Sequence, residues 1–216
     1  MKIAFIGTGL MGYPMAKNLI NKKLNLKVFS RTLEKAKPLE KLGAIIANSL
    51  GEAVKETDIV ITMLTDDEAV EKVLGDQEFL NNLKNSSTVI DMSSIKPKIS
   101  IQYGKLLKDR NIHFLDAPVS GGTIGAEEAT LAIMVGGDEE TFKNCYELLK
   151  KMGNPTLVGP VSSGQISKLA NQIIVGVTIG AVAEAITLCE KSGTNPNKMI
   201  EALSGGWADS KILQTH

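Results

Sequence analysis

A doubly wound α/β fold with a mainly parallel sheet, followed by a long helix and the start of an all-α domain, is predicted by three features of the 216-residue sequence. Short β-rich runs alternate with helical ones, the central β-rich runs are continuously apolar, and no strong strand signal appears after Pro160. The alternation reads KIAFIG, a helix to about Asn21, LKVFS, a helix from Leu33 and DIVITML, then TVIDM and IHFLDAP. That order predicts a parallel sheet with helices on both faces. IAFI and IVITM lack polar alternation, as strands covered on both sides do. LAIMVG at 131–136 and TLVG at 156–159 add two short strands around a helix beginning near Glu139. A helix from about Ser163 to Lys191 spans roughly 42 Å at 1.5 Å per residue, enough to pass from one domain to another. The expected division is a nucleotide-binding domain over 1–162 and, over 163–216, the long interdomain helix with the beginning of an apparently incomplete helical domain. A shorter helix follows in TNPNKMIEAL, with Asn195 as its cap and Pro196 at its first position.

Lys plus Arg and Asp plus Glu both number 24, so no global field favours nucleic acid or an anionic membrane. Cys145 and Cys189 are isolated and form no metal-ligand spacing, and no metal is expected. The chain starts without the charged and apolar segments of a secretory signal, which makes the cytoplasm the expected compartment. The most apolar later stretch, 169–189, carries Asn171, Gln172 and Glu184, and such groups are costly at bilayer depth. It reads as a buried helix.

Gly7, Gly9 and Gly12 in GTGLMG form GxGxxG between a strand and an apolar-periodic helix. In this Rossmann-type context the first glycine permits the turn, the second lets backbone approach a pyrophosphate, and the third lets helix pack on strand. Leu10 and Met11 belong to the same cofactor-binding loop. At the end of the second strand, where NAD-binding domains usually carry an acidic residue, stand Ser30, Arg31 and Thr32. A guanidinium and two hydroxyls suit a 2′-phosphate, so the expected cofactor is NADP (NADPH). The bland alternatives are a glycine-rich turn that binds nothing and an ordinary surface arginine.

IAFIGTGLMGYPMAKNLI, DAPVSGG at 116–122 and GQISKLANQ at 164–172 together resemble the 3-hydroxyisobutyrate dehydrogenase, or β-hydroxyacid dehydrogenase, family. The Asn-Gln pair at 171–172 looks most like the glyoxylate, succinic semialdehyde and tartronate semialdehyde reductase branches; 6-phosphogluconate dehydrogenase is a weaker alternative. The resemblance implies a Rossmann domain, a long interdomain helix and a helical C-terminal domain, with members roughly a quarter longer than this chain. Ala129 departs from the family, which usually has glycine there.

By this resemblance Met63, Leu64 and Ser94, at or just after the ends of DIVITML and TVIDM, contact the cofactor. Lys168 shares a helix face with Gly164, Asn171 and Gln172 by i, i+3 and i+4 spacing, and that face is expected to meet the nicotinamide. Lys168 is the expected general acid, Asn171 orients the substrate oxygen, and Gln172 contacts substrate. Ser120, Gly121 and Gly122 offer a hydroxyl and closely approaching N–H groups to a carboxylate. The expected reaction joins a small 3-, 4- or 2-hydroxy acid and its semialdehyde or oxo acid by hydride transfer. The rival reading is an NADP-binding regulatory module or truncated fragment without turnover. Finally, the long helix is apolar on every side, which predicts a homodimer or homotetramer through the C-terminal helices.

Overall fold

The computed structural model describes residues 1–215. The chain forms two compact units, Met1–Lys168 and the segment from Leu169 onward. In the first, β1 (Ile3–Ile6), α1 (Gly12–Asn21) and β2 (Leu26–Phe29) are followed by a 3-10 turn (Leu33–Lys35), α2 (Lys37–Glu40), β3 (Ile45–Ile46) and α3 (Leu50–Val54). Next come β4 (Ile59–Thr62), α4 (Asp67–Leu74), α5 (Gln77–Asn82), β5 (Thr88–Asp91), α6 (Pro97–Lys108) and β6 (His113–Asp116). β7 (Val119–Ser120), α7 (Gly122–Glu128), β8 (Leu131–Gly136), α8 (Glu139–Leu149) and β9 (Gly153–Gly159) complete the sheet before α9 (Ser163–Lys191) begins.

The sheet order is β3-β2-β1-β4-β5-β6-β8-β7, with β9 paired to β8. The first six strands run parallel. β8 reverses against β6 and β7 and then pairs parallel with β9. Two of these strands, β3 and β7, escape the sequence pattern because two residues carry no readable period. The helix expected from Leu33 is reduced to a 3-10 turn and the single turn of α2, where Pro38 occupies a starting position. Proline is tolerated in a helix's first turn and would break its interior.

Successive strand residues point to opposite faces, so the continuous apolar runs supply two cores. Ile3, Phe5, Ile61 and Ile90 pack on one face with Met15 and Leu19 of α1 and Leu148 of α8. Ala4, Ile6, Val60 and Val89 pack on the other with Val70 and Leu74 of α4, Phe79 of α5 and Leu107 of α6. At about 25 cal/mol per Å² of buried apolar area, this double burial is the main stabilising contribution.

The first unit runs past the boundary expected near 162, because the first turn of α9 is hydrogen-bonded into the sheet. The second unit contains the rest of α9, α10 (Pro196–Leu203) and α11 (Lys211–Thr215). Asn195 caps α10 as its type and position predict, accepting from the N–H groups of Asn197 at 2.9 Å and Lys198 at 3.3 Å. On α9, Ile173, Ile174, Val177 and Leu188 are each about two-thirds exposed.

Ala129 ends α7 in the left-handed conformation, with φ 56° and ψ 39°. This geometry explains a glycine at the position, since a Cβ there costs about 1–2 kcal/mol. Ala129→Gly should therefore raise stability by about 1 kcal/mol, a rise in Tm of about 2–4 °C for a chain of this size, measured by calorimetry. An unchanged or lower Tm would show that the left-handed cap carries no strain.

Candidate active site at the carboxyl edge of the sheet

Because β1 to β6 are parallel, the loops that leave them all emerge at one edge. The order in which strands are added reverses between β1 and β4, parallel neighbours that are not consecutive in sequence, and such a switch point is where doubly wound sheets open a crevice. Three glycines line this opening for three different reasons. Gly7 has φ +99°, and a Cβ on it would strike the Met63 carbonyl. A Cβ on Gly12 would strike the Gly7 carbonyl, so its absence lets α1 close onto the loop. A Cβ on Gly9 would meet nothing within 4 Å. The protein's own packing does not require glycine there, and the open space leaves the backbone free for a ligand to approach closely. Beside it the Thr8 hydroxyl is buried without a hydrogen-bond partner among the described residues.

A cleft of about 190 Å³ gathers Gly7, Gly9, Ser30, Arg31, Thr32, Met63 and Leu64 of the expected cofactor set. It is also lined by Lys35 and Lys72, which the sequence reading missed, so three cations border it. The acids in their vicinity come from α4 and not from the end of β2: Glu68 pairs with Lys72 at 2.7 Å, and Asp66 caps the helix. Hydrogen bonds from the Ala69 N–H and the Thr65 hydroxyl, with Arg31 and Lys72 nearby, hold its carboxyl below the ordinary value. Apolar walls, a glycine backbone and clustered cations fit a phosphate-bearing dinucleotide. Leu10, 85% exposed, lines a wider neighbouring opening of about 690 Å³. Met11 is half-buried against the core, and Ser94 is exposed in the loop after β5.

The start of α9 is fixed from below. Asp116, fully buried at the end of β6, accepts from the Ser162 N–H at 2.7 Å and the Gln165 N–H at 2.9 Å. A carboxylate under a helix's first turn satisfies orphan N–H groups and matches the helix dipole. Gly164 is buried where a Cβ would strike the Met134 carbonyl and lie 2.7 Å from that of Asp116. Its lack of a side chain is thus required by the sheet, a reason the face-sharing argument did not contain.

Gln165, 1% exposed, donates from Nε2 to the Ser93 carbonyl at 2.9 Å and accepts from the Ile95 N–H at 3.1 Å. Ser93 in turn accepts the Leu64 N–H on its hydroxyl at 2.9 Å. Asp91 accepts the Thr62 hydroxyl at 2.8 Å and the Ser93 N–H at 3.2 Å on one oxygen, while the other is buried unpaired among the described residues. Burial pushes both Asp91 and Asp116 up to about 6, against the downward pull of these hydrogen bonds.

Lys168 follows one turn later, half-buried, and loss of water lowers its ammonium below the ordinary lysine value. Ser120 is half-buried in β7, while Gly121 (φ +138°) and Gly122 (φ +62°) form an exposed turn into α7. Positive φ at both positions is the backbone form that turns successive N–H groups outward. Asn171 and Gln172 belong to the second unit, and there Asn171 Nδ2 donates to Gln172 Oε1 at 3.0 Å. Asp116, Gln165 and Ser93 were not singled out from sequence. Asp116 and Gln165 fall within the DAPVSGG and GQISKLANQ stretches, but no role was read for either, and Ser93 stands just beyond an apolar run.

Residues 2–166 match the family described as the NAD binding domain of 6-phosphogluconate dehydrogenase. Residues 162–216 match that described as NAD-binding of NADP-dependent 3-hydroxyisobutyrate dehydrogenase. The chain is 42% identical over 218 residues to 2-hydroxy-3-oxopropionate reductase of Escherichia coli (strain K12), spanning 100% of this chain and 74% of that protein. It is 36% identical to the probable 3-hydroxyisobutyrate dehydrogenase-like 1, mitochondrial, of Arabidopsis thaliana, spanning 100% of this chain and 65% of the relative. The solved Mycobacterium tuberculosis 3-hydroxyisobutyrate dehydrogenase with L-serine has a TM-score of 0.92 at 34% identity, spanning 99% of this chain and 73% of that one. With glycine loop, cleft and half-buried lysine on a fold that matches these proteins over the whole of this chain, the chain belongs to the 3-hydroxyisobutyrate dehydrogenase, or β-hydroxyacid dehydrogenase, family of nicotinamide-dinucleotide-dependent oxidoreductases.

Proposed function

We propose that this chain is an NADPH-dependent reductase of a small carboxylated aldehyde or oxo acid, forming the matching 3-, 4- or 2-hydroxy acid, with Lys168 as the proton donor. The observation that carries the reading is Lys168 itself, a desolvated ammonium one turn along a helix pinned at the carboxyl edge. Desolvation brings an ammonium closer to the pKa at which it gives and takes a proton near neutrality. The nicotinamide, when bound, supplies hydride to the carbonyl carbon. Lys168 stabilises the negative charge that develops on the carbonyl oxygen and then transfers its proton to that oxygen. Asn171, three residues on along the same helix, orients the oxygen, and Gln172 contacts the substrate. Ser120 with the N–H groups of Gly121 and Gly122 takes the carboxylate. The substrate class is supported by the relatives: one is named for a small carboxylated aldehyde and another was solved with L-serine, a small hydroxy acid.

The preference for NADPH rests on Arg31, Lys35 and Lys72 around one cleft. A charge-assisted hydrogen bond contributes about 1.5–3 kcal/mol, so Arg31→Ala should weaken NADPH binding about ten- to a hundredfold and leave NADH binding nearly unchanged. Equal affinity of the unmodified chain for both cofactors, read by fluorescence titration, would contradict the assignment.

Lys168→Ala should lower turnover about 10²–10⁴-fold with little change in cofactor affinity. In the reduction direction the acid must be protonated, so kcat should fall as pH rises through a midpoint below that of an ordinary lysine. In oxidation it should rise over the same range. Near-normal turnover of the variant with glyoxylate or succinic semialdehyde would transfer the role to another group. An unmodified chain that binds NADPH and turns over neither compound would favour the regulatory module.

The aliphatic face of α9 is proposed to be covered by a second copy of the chain. Asn171, Gln172 and Glu184 lie along this helix, which favours a protein neighbour over lipid. Exposed aliphatic area costs about 25 cal/mol per Å², so sedimentation should show a concentration-dependent dimer or tetramer, and a monomer at all concentrations would refute it.

A further inference from the structure

We propose that Gln165 is a positioning residue, which locks the α9 turn bearing Lys168 to the loop after β5 and, through Ser93, to the Leu64 wall of the cofactor cleft. The inference rests on the assignment of Lys168 as the proton donor. It is carried by a continuous buried set of hydrogen bonds. Leu64 lines the cleft and donates its N–H to the Ser93 hydroxyl. The Ser93 carbonyl and the Ile95 N–H, two residues apart, are both taken by the amide of Gln165. The Gln165 N–H is in turn held by Asp116 at the end of β6. Lys168 stands three residues beyond Gln165, on the following helical turn.

The carboxamide of Gln165 supplies both the donor and the acceptor that these two bonds need, and it does so at any pH. A hydrocarbon of similar size would leave one carbonyl and one N–H buried and unpaired, a penalty that drives the loop and the helix turn apart. Hydride and proton transfer depend on sub-ångström placement of their groups, and misplacement by about 1 Å is enough to lower a rate a hundredfold. Gln165 thus has no contact with the reacting atoms to offer, and acts through the distance between Lys168 and the cleft wall.

The test uses the full chain and two variants, with Lys168→Ala as a reference. Gln165→Leu should lower kcat about ten- to a hundredfold, with KM and NADPH affinity nearly unchanged. It should also speed exchange of the Leu64 amide proton in the NADPH complex, since that bond is held only through Ser93. Gln165→Glu gives a signature that a merely structural role would not. A protonated carboxyl donates to the Ser93 carbonyl and accepts from the Ile95 N–H as the amide does, whereas a carboxylate repels that carbonyl. The ionisable groups on the surrounding elements are Asp91 on β5, Asp116 on β6, Lys168 on α9 and the Asp67–Lys96 pair. The two buried aspartates and the dry site hold the introduced carboxyl protonated to higher pH. Gln165→Glu should therefore work best in mildly acidic buffer and lose activity as pH rises, over a range in which the unmodified chain keeps it.

Full turnover of Gln165→Leu while Lys168→Ala is inactive would overturn the positioning role alone. Full turnover of Lys168→Ala would overturn the acid assignment and, with it, the positioning role. In a preparation without turnover, unchanged Leu64 exchange in Gln165→Leu would overturn the proposal directly. A Gln165→Glu profile parallel to that of the unmodified chain would do so as well.

Discussion

Asp116 ends a buried strand with its carboxylate beneath the first turn of α9, and the placement of the site depends on that contact. A 29-residue helix begins there, and its first N–H groups need an acceptor inside the protein. The acceptor comes from β6, so the register of the sheet sets the height of the helix, and the helix sets the height of Lys168. Gly164 and Gly136 let these backbones close to the distance the hydrogen bonds demand. The same edge holds the glycine loop after β1 and the cations after β2. One sheet thus supplies the coordinates for both the glycine-lined cleft and the proposed proton donor.

Much of this was legible in the sequence, and for reasons that differ by residue. IAFI and IVITM announced strands covered on both faces because burial there is continuous. The glycine loop was legible because strand, turn and helix constrain it locally. Ser163 and Lys191 bound α9 as expected, since Pro160 and the glycine at 193 are strong local punctuation. What stayed hidden lies in contacts between distant segments. Gln165 meets partners 70 and 72 residues earlier, and although it lies in the GQISKLANQ stretch, its sequence neighbours do not reveal those partners. Lys35 and Lys72 look like ordinary surface lysines until β2 and β4 bring their turns to one cleft. Gly164 was noticed for its spacing from Lys168 and not for the sheet beneath it, because helix spacing tells which face a residue shares and not what that face packs on.

Gly9 and Gly12 show how the same residue type records two kinds of constraint. At Gly12 the constraint is internal, since backbone already occupies the place of a side chain. At Gly9 the space is open, so packing sets no constraint, and a glycine there suits a ligand approaching the backbone. The distinction separates a stability position from a recognition position within one six-residue motif.

Asp91 and Asp116 face each other as register partners on β5 and β6, both out of contact with water. With burial pushing both up to about 6, the folded chain retains protons in mildly acidic solution that the unfolded chain has released. The stability these groups contribute is full below the ordinary aspartate value of 3.8 and is lost as pH rises through about 6. At neutrality, two negative charges confined side by side therefore oppose folding while their oxygens hold the turns that bear the site. The acceptors that organise the chemistry are a thermodynamic burden at the pH where an enzyme of this kind operates, and the two hydrophobic cores on either side of the sheet have to outweigh it.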